Sequence, residues 1–304
     1  WLDAIDSTAA PLRPAAVRSL VSLRLAKVQQ ERVAGMLRRF GRSSTLPDRQ
    51  RTLAFSGIPT GLFAPDEAEF DYLLGQLSAG QPFAQRSNAA KALAGGKLAE
   101  AQLSRLANQL GSIGSAEATA LLPAFGRGRA ASLGQALLAV LGQANWLRGL
   151  DAAMLQKATA GYGETVQGKA AELLAKAKAA PADQAKQLRE LADGLPDGDA
   201  LRGKAVFRGP KAGCSTCHSM AYHGGRFGPD LTRIGQVRKK MDLLEAIVFP
   251  SASFVRSYET MQVNTGDGGV LAGIVSDQNA GYVTLALSPE KSVRVERGNI
   301  RNLE

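Results

Sequence analysis

Cys214-Ser215-Thr216-Cys217-His218 is the stretch whose residue types and spacing carry chemistry. Two thiols three positions apart can each add to a vinyl group of one haem, and the histidine directly after the second thiol is then held beneath the iron as its proximal ligand. Cys214 and Cys217 are the only cysteines in the chain, and His218 is one of two histidines, the other being His223. Three rival chemistries use such a pair. A thioredoxin-like redox pair sits on a strand-to-helix turn, and Arg208-Gly209-Pro210-Lys211-Ala212-Gly213 does not follow a strand pattern. A zinc site takes four ligands, and the neighbours Cys217 and His218 would struggle to share one small tetrahedral ion with Cys214 and His223. A disulfide across two intervening residues is strained. The expectation is therefore one covalent haem c, attached through Cys214 and Cys217, with His218 as iron ligand.

The remainder of the chain must position this motif. At 304 residues it is long enough for two domains, and 45% apolar with 21% charged residues is ordinary for a globular protein. No run approaches the length of a transmembrane helix. The net charge is +10. Residues 1–195 carry 23 Lys/Arg against 16 Asp/Glu, and residues 196–304 carry 14 against 11, so the excess is spread over both parts. No basic run is interleaved with aromatics, which argues against nucleic acid as a partner; mild attraction to acidic partners is the most this charge implies. The chain opens Trp1-Leu2-Asp3. Haem attachment to such a motif takes place outside the cytoplasm, so the expected location is periplasmic or otherwise extracytoplasmic, with a processed or truncated start and export information upstream of Trp1.

Residues 1–195 read as all-helical. They are rich in Ala, Leu, Gln and Arg, with apolar residues at helical spacing. Pro65-Asp66-Glu67 opens one helix and Pro82 the next, which Gly95-Gly96 closes. Further helices are expected near 99–110, 115–125, 130–142, 150–160, 164–178 and 182–193. Helices of this length joined by short breaks imply an α-solenoid or HEAT-like array, although no fixed period aligns. The region holds no His or Cys; its Met and aromatic residues, Trp146 among them, read as core. Leu195-Pro196-Asp197-Gly198-Asp199 marks the domain boundary. Residues 196–257 then read as a helical haem-binding part, with short helices over 199–207 and 241–249, the second stopped by Pro250. From Tyr258 the pattern turns β. Met261, Val263 and Thr265 alternate, Gly266–Gly269 turns the chain, and 270–275, 282–287 and 293–295 follow as strands. The expected fold is mainly α, with a small antiparallel sheet or open barrel at 258–304.

The haem region resembles class I cytochromes c. Gly203-Lys204-Ala205-Val206-Phe207 precedes Cys214 as that family's Gly-x-x-x-Phe helix does, and Gly228-Pro229-Asp230-Leu231 follows His218 at the spacing of its Gly-Pro-x-Leu loop. The resemblance implies that the Pro229 carbonyl accepts a hydrogen bond from the second ring nitrogen of His218. An axial imidazole needs that N–H held, because this fixes the ring and raises its basicity. A closer resemblance covers roughly residues 85–304. Besides these motifs it rests on Thr232-Arg233-Ile234-Gly235, Leu243 through Ser251, Asp267-Gly268 and Gly273-Ile274, which look like the haem-binding domain of planctomycete- and verrucomicrobial-type proteins. In those, the cytochrome follows a HEAT-like helical region, and a propeller resembling sugar dehydrogenases often precedes both; here it would lie before Trp1.

The far face of the iron stays open at this stage. Class I cytochromes c place a Met there, just before a closing helix, and the resemblance puts both after the β region, beyond Glu304. Within the chain Met261 is the nearest fit, 43 residues past His218, against the plainer reading of a strand residue facing the core. Met220 follows His218 too closely, Met241 lies on a helix, and His223 would need an unusual loop. Five-coordinate or His-ligated iron is the third possibility. Arg226, Arg233 and Arg238 flank the loop and are placed to pair with haem propionates, since Arg binds carboxylates bidentately; Tyr258 is a further candidate. For each, solvated surface is the competing reading. Three functions follow: electron transfer with a dehydrogenase or another cytochrome as partner, an open-site haem enzyme or gas sensor with His223 over the iron, and a scaffold subunit of a larger redox complex.

Overall fold

A computed structural model describes residues 12–22, 27–144, 147, 150, 152–178, 181–249, 258, 260–266, 270–289 and 291–303. Trp146, Pro250 and the turn expected at 267–269 lie outside them. The chain forms two compact units, residues 1–184 and 185–304. The division falls inside a helix, Pro181–Gly194, whereas the sequence places it at the Pro/Gly-rich break just after.

The first unit is built of helices α1 (Arg13–Ser22), α2 (Lys27–Arg42), α3 (Asp48–Gly57), α4 (Glu67–Gln76), α5 (Phe83–Gly95), α6 (Glu100–Gln109), α7 (Ser115–Phe125), α8 (Ala131–Leu141), α9 (Ala152–Thr159) and α10 (Glu164–Lys178). They stack in two rows: α3 on α5, α5 on α7 and α7 on α9 in one, α6 on α8 and α8 on α10 in the other. Local chemistry sets the starts. Asp66 accepts from the Glu69 amide at 2.9 Å while Glu69 accepts from the Asp66 amide at 3.0 Å, a capping box that opens α4. Gln102 reaches back to the Ala99 amide in the same way and donates to the Pro65 carbonyl, tying α6 to the turn before α4. Buried positions recur from the α4 segment through α6, α8 and α10. Leu73, Leu106, Leu137 and Ala170 form one series and Leu77, Leu110, Leu141 and Leu174 another, each at steps of 31 to 33 residues. Buried positions thus recur at near-constant steps where the sequence shows no alignable period, because only a few core positions recur.

The second unit continues from α11 (Pro181–Gly194). In it α12 (Ala200–Arg208) starts at Asp199, whose carboxylate accepts from the Arg202 amide. The turn α13 (Cys214–Cys217), the short strands β1 (Ser219–Met220) and β2 (His223–Gly224), and helices α14 (Ile234–Val237) and α15 (Lys240–Val248) follow. The β part holds β3 (Thr260–Thr265), β4 (Val270–Gln278), β5 (Tyr282–Ser288), β6 (Lys291–Glu296) and β7 (Ile300–Leu303), in the order β6-β5-β4-β3-β7. Each neighbouring pair is antiparallel. Four strands thus form a meander, and after one 3-10 turn at Arg297–Asn299 the fifth returns to pair with the first. The sheet closes on its own core of Val263, Val283, Leu285 and Val295. Sequence reading misses β7 and the β1–β2 hairpin. In β7 two polar residues separate Ile300 from Leu303, so no two-residue alternation appears, and strands of two residues carry no pattern at all.

Candidate haem site

Gly213 starts the Cys214–Cys217 turn in the left-handed region, φ +70°, where glycine carries no penalty. The Thr216 amide bonds the Gly213 carbonyl and the His218 amide bonds the Cys214 carbonyl, each at 2.9 Å, so residues 214–217 make one helical turn. Positions i and i+3 of such a turn lie on one face, which puts both thiols on the same side. They are not joined in a disulfide, and both residues are half-buried.

His218 leaves the turn in extended conformation and is fixed from two directions. Its Nδ1 lies 2.9 Å from the Pro229 carbonyl oxygen, the contact that the resemblance implies. A carbonyl only accepts, so Nδ1 carries the proton and Nε2 is left with a free lone pair that could ligate a metal. Gly228 backs the imidazole, and no side chain fits between them. The next loop lies equally tight: a Cβ at Gly224 (φ +116°) would strike the His218 carbonyl, and one at Gly225 that of Thr216. The Gly225 amide bonds the Ser215 carbonyl and the Gly228 amide the Cys217 carbonyl, lacing 224–228 to the Cys214–Cys217 turn. Sequence reading does not single out Gly224-Gly225, although adjacent glycines are the signal that could have marked this close backbone approach.

Three polar residues to which sequence reading gives no role of their own complete the loop. Ser219 Oγ donates to Asp230 Oδ2 at 2.6 Å, the Thr232 amide donates to Asp230 Oδ1 at 2.8 Å, and Thr232 Oγ1 accepts from the Ala221 amide at 2.8 Å. The bond from Ser219, then those from Thr232, hold the Asp230 carboxyl below its ordinary value. Between β1 and β2 the two-residue turn Ala221-Tyr222 has φ of 49° and 66°, the form of a type I′ hairpin made without glycine or asparagine. Tyr222 is fully exposed at its tip.

The other predicted residues spread more widely. Arg226 follows β2, Arg233 caps the start of α14 and Arg238 its end; all three are exposed. Among the described residues none of the three forms an ion pair, which leaves their guanidinium groups available to a carboxylate. Tyr258 is half-buried. Met261 lies in β3, opposite Gly273 of β4, on the sheet face that it shares with buried Val263 and Thr265. Met220 and His223 face each other across the hairpin, and Met241 is on α15. From 200 to 248 the only buried residue is Gly213. Leu201, Val206, Val237, Met241 and Ile247 all expose much of their apolar surface. Among the described residues no three His, Cys, Asp or Glu side chains converge as a metal-binding group, and no helix is long and apolar enough to cross a membrane. A scan against known protein families finds no matching family, and a search of curated proteins finds no match.

Proposed function

We propose that this chain binds one haem c through Cys214 and Cys217, ligates its iron with Nε2 of His218, and passes single electrons outside the cytoplasm to or from a redox protein, a dehydrogenase or another cytochrome. The observation that carries this reading is the pairing of a one-turn Cys-x-x-Cys with a histidine whose Nδ1 is already engaged by Pro229. A second observation agrees with it. A stretch of nearly fifty residues that buries almost nothing of its own has apolar side chains and no core to put them in, and a large flat apolar macrocycle supplies one. Bound haem supplies the one-electron chemistry, with a potential tuned by axial ligation and burial. The protein's part is to hold His218 in one ring orientation, to cover the macrocycle with the faces of α12 and α15, and to offer Arg226, Arg233 and Arg238 to the propionates. On this reading residues 196–304 are a class I cytochrome c-like domain carrying a β module, and the helical unit is a HEAT-like scaffold or docking surface for the partner.

The test is to export the full chain in a host that attaches haem c and to record the spectrum of the purified protein. Haem that stays with the polypeptide after denaturation is the expected result, and a Met–iron charge-transfer band in the ferric state would identify a Met on the far face of the iron. Ready carbon monoxide binding by the ferrous protein without that band sinks the electron-carrier reading and leaves an open-site enzyme or sensor. An unchanged spectrum in Met261→Leu removes Met261 as ligand.

A further inference from the structure

Asp230 and Thr232 tie the segment after Pro229 to the segment after His218. Ser219 Oγ donates to Asp230, the Thr232 amide donates to the other carboxylate oxygen, and the Ala221 amide donates to Thr232 Oγ1. The Leu231 amide adds a bond to the Ser219 carbonyl at 2.8 Å. Three of these bonds join residues 219–221 to residues 230–232, the fourth holds Asp230 to Thr232 within the second segment, and His218 and Pro229 stand immediately before the two segments. The 2.9 Å contact between His218 and Pro229 is thus the end rung of a ladder in which one further rung is backbone to backbone and two depend on the side chains of Asp230 and Thr232. Asp230 is exposed, and exposed polar bonds add little to stability. Their effect is on geometry: they fix where the Pro229 carbonyl points.

We propose that Asp230, with Ser219 and Thr232, is a positioning residue that holds the Pro229 carbonyl on His218 Nδ1 and so sets how strongly His218 donates to the iron. The proposal rests on the haem reading above. An Nδ1–H held by a carbonyl makes the imidazole a stronger donor, which favours ferric iron. Loosening the ladder weakens that push and moves the ferric–ferrous equilibrium toward ferrous.

The experiment uses the haem-loaded full chain and the variants Asp230→Ala, Asp230→Asn, Ser219→Ala and Thr232→Val. It reads the midpoint potential and, by NMR of the ferrous protein, the solvent exchange of the His218 Nδ1–H. Ser219→Ala and Thr232→Val change no charge, and each should shift the equilibrium toward ferrous by about threefold and speed the exchange. Asp230→Ala should shift it by roughly tenfold, about 59 mV for one electron. Asp230→Asn keeps an oxygen for the Thr232 amide and should restore most of the exchange protection. Unchanged potential and exchange in both neutral variants overturn the proposal, whether or not Asp230→Ala retains haem. Equal potential shifts in Asp230→Ala and Asp230→Asn, with exchange unaltered, also overturn it, because charge alone then acts. If the unaltered chain shows no covalent haem by pyridine haemochrome, the haem reading itself fails, and the proposal with it.

Discussion

A methyl group on Gly228 would lie 2.6 Å from Cε1, 2.8 Å from Nδ1 and 3.0 Å from Nε2 of His218. The glycine backbone therefore lies flat against the imidazole and blocks it from turning away from Pro229. Gly228→Ala must push the ring off this seat. Overpacking of this kind costs about 1–3 kcal/mol, and here it falls on the proposed ligand. The variant should lose haem content or show a raised midpoint potential, while the helical unit keeps its circular dichroism. A variant with unaltered haem content and potential would show that the ring has room to shift.

Covalent attachment predicts a graded loss. With Cys214 and Cys217 on one face of one turn, Cys214→Ala or Cys217→Ala should each leave a single thioether and a red-shifted pyridine haemochrome. The double variant should release its haem into acidified organic solvent. Haem staining after denaturing electrophoresis distinguishes the three states.

Acid should loosen the helical unit through Glu69. The side chain is 3% exposed. Burial alone would raise its carboxyl, but the hydrogen bonds from Arg38 and Arg42, with that from the Asp66 amide, outweigh burial and hold it below the ordinary value. A carboxyl lowered by folding contributes fully above its unfolded-state pKa and loses that contribution as pH falls through its folded-state value. Thermal melting should therefore drop as pH falls through and below the carboxylate range. Glu69→Gln should flatten that dependence and lower stability near neutral pH by roughly 1–3 kcal/mol, a modest figure because Arg38 and Arg42 both reach solvent.

The stacked rows predict an equal cost at equivalent positions. Leu106 and Leu137 occupy matching buried sites in α6 and α8. Leu106→Ala and Leu137→Ala should each destabilise the helical unit by about 2–5 kcal/mol in urea titrations followed by circular dichroism. A cost under 1 kcal/mol at either site would contradict the packing.

The hairpin predicts a gain. Tyr222 sits at φ 66° and is fully exposed. Non-glycine residues in the left-handed region cost about 1–2 kcal/mol, and asparagine tolerates it better. Tyr222→Asn should raise the denaturation midpoint of the haem-loaded protein by an amount worth roughly 0.5–1 kcal/mol.

Much of the structure could be read before folding. Proline and glycine punctuation places the helix limits near 82 and 95, and the alternation of Met261, Val263 and Thr265 marks a strand. The Cys214-x-x-Cys217-His218 motif is visible in residue types alone. What stayed hidden depends on contacts between distant residues. The recurrence in the helical unit rests on two buried series, whose members lie on or just past the ends of four helices. The role of Gly228 beyond its place in a Gly-Pro loop emerges only when the His218 ring is laid against it. Ser219, Asp230 and Thr232 are ordinary surface residues in sequence and become a linked set only once the two segments run side by side.

The pairing of β3 with β7 has a consequence for how this domain can vary. Val263, near the start of the sheet, lies directly opposite Leu303, near its end, and antiparallel partners stand about 5 Å apart. The forty-odd residues between them leave by the door through which they came. A module with neighbouring ends and a core of its own can be lengthened, shortened or exchanged without stretching the polypeptide around it. Changes in the loops at the far edge of this sheet are thus free to accumulate independently of the residues that grip His218.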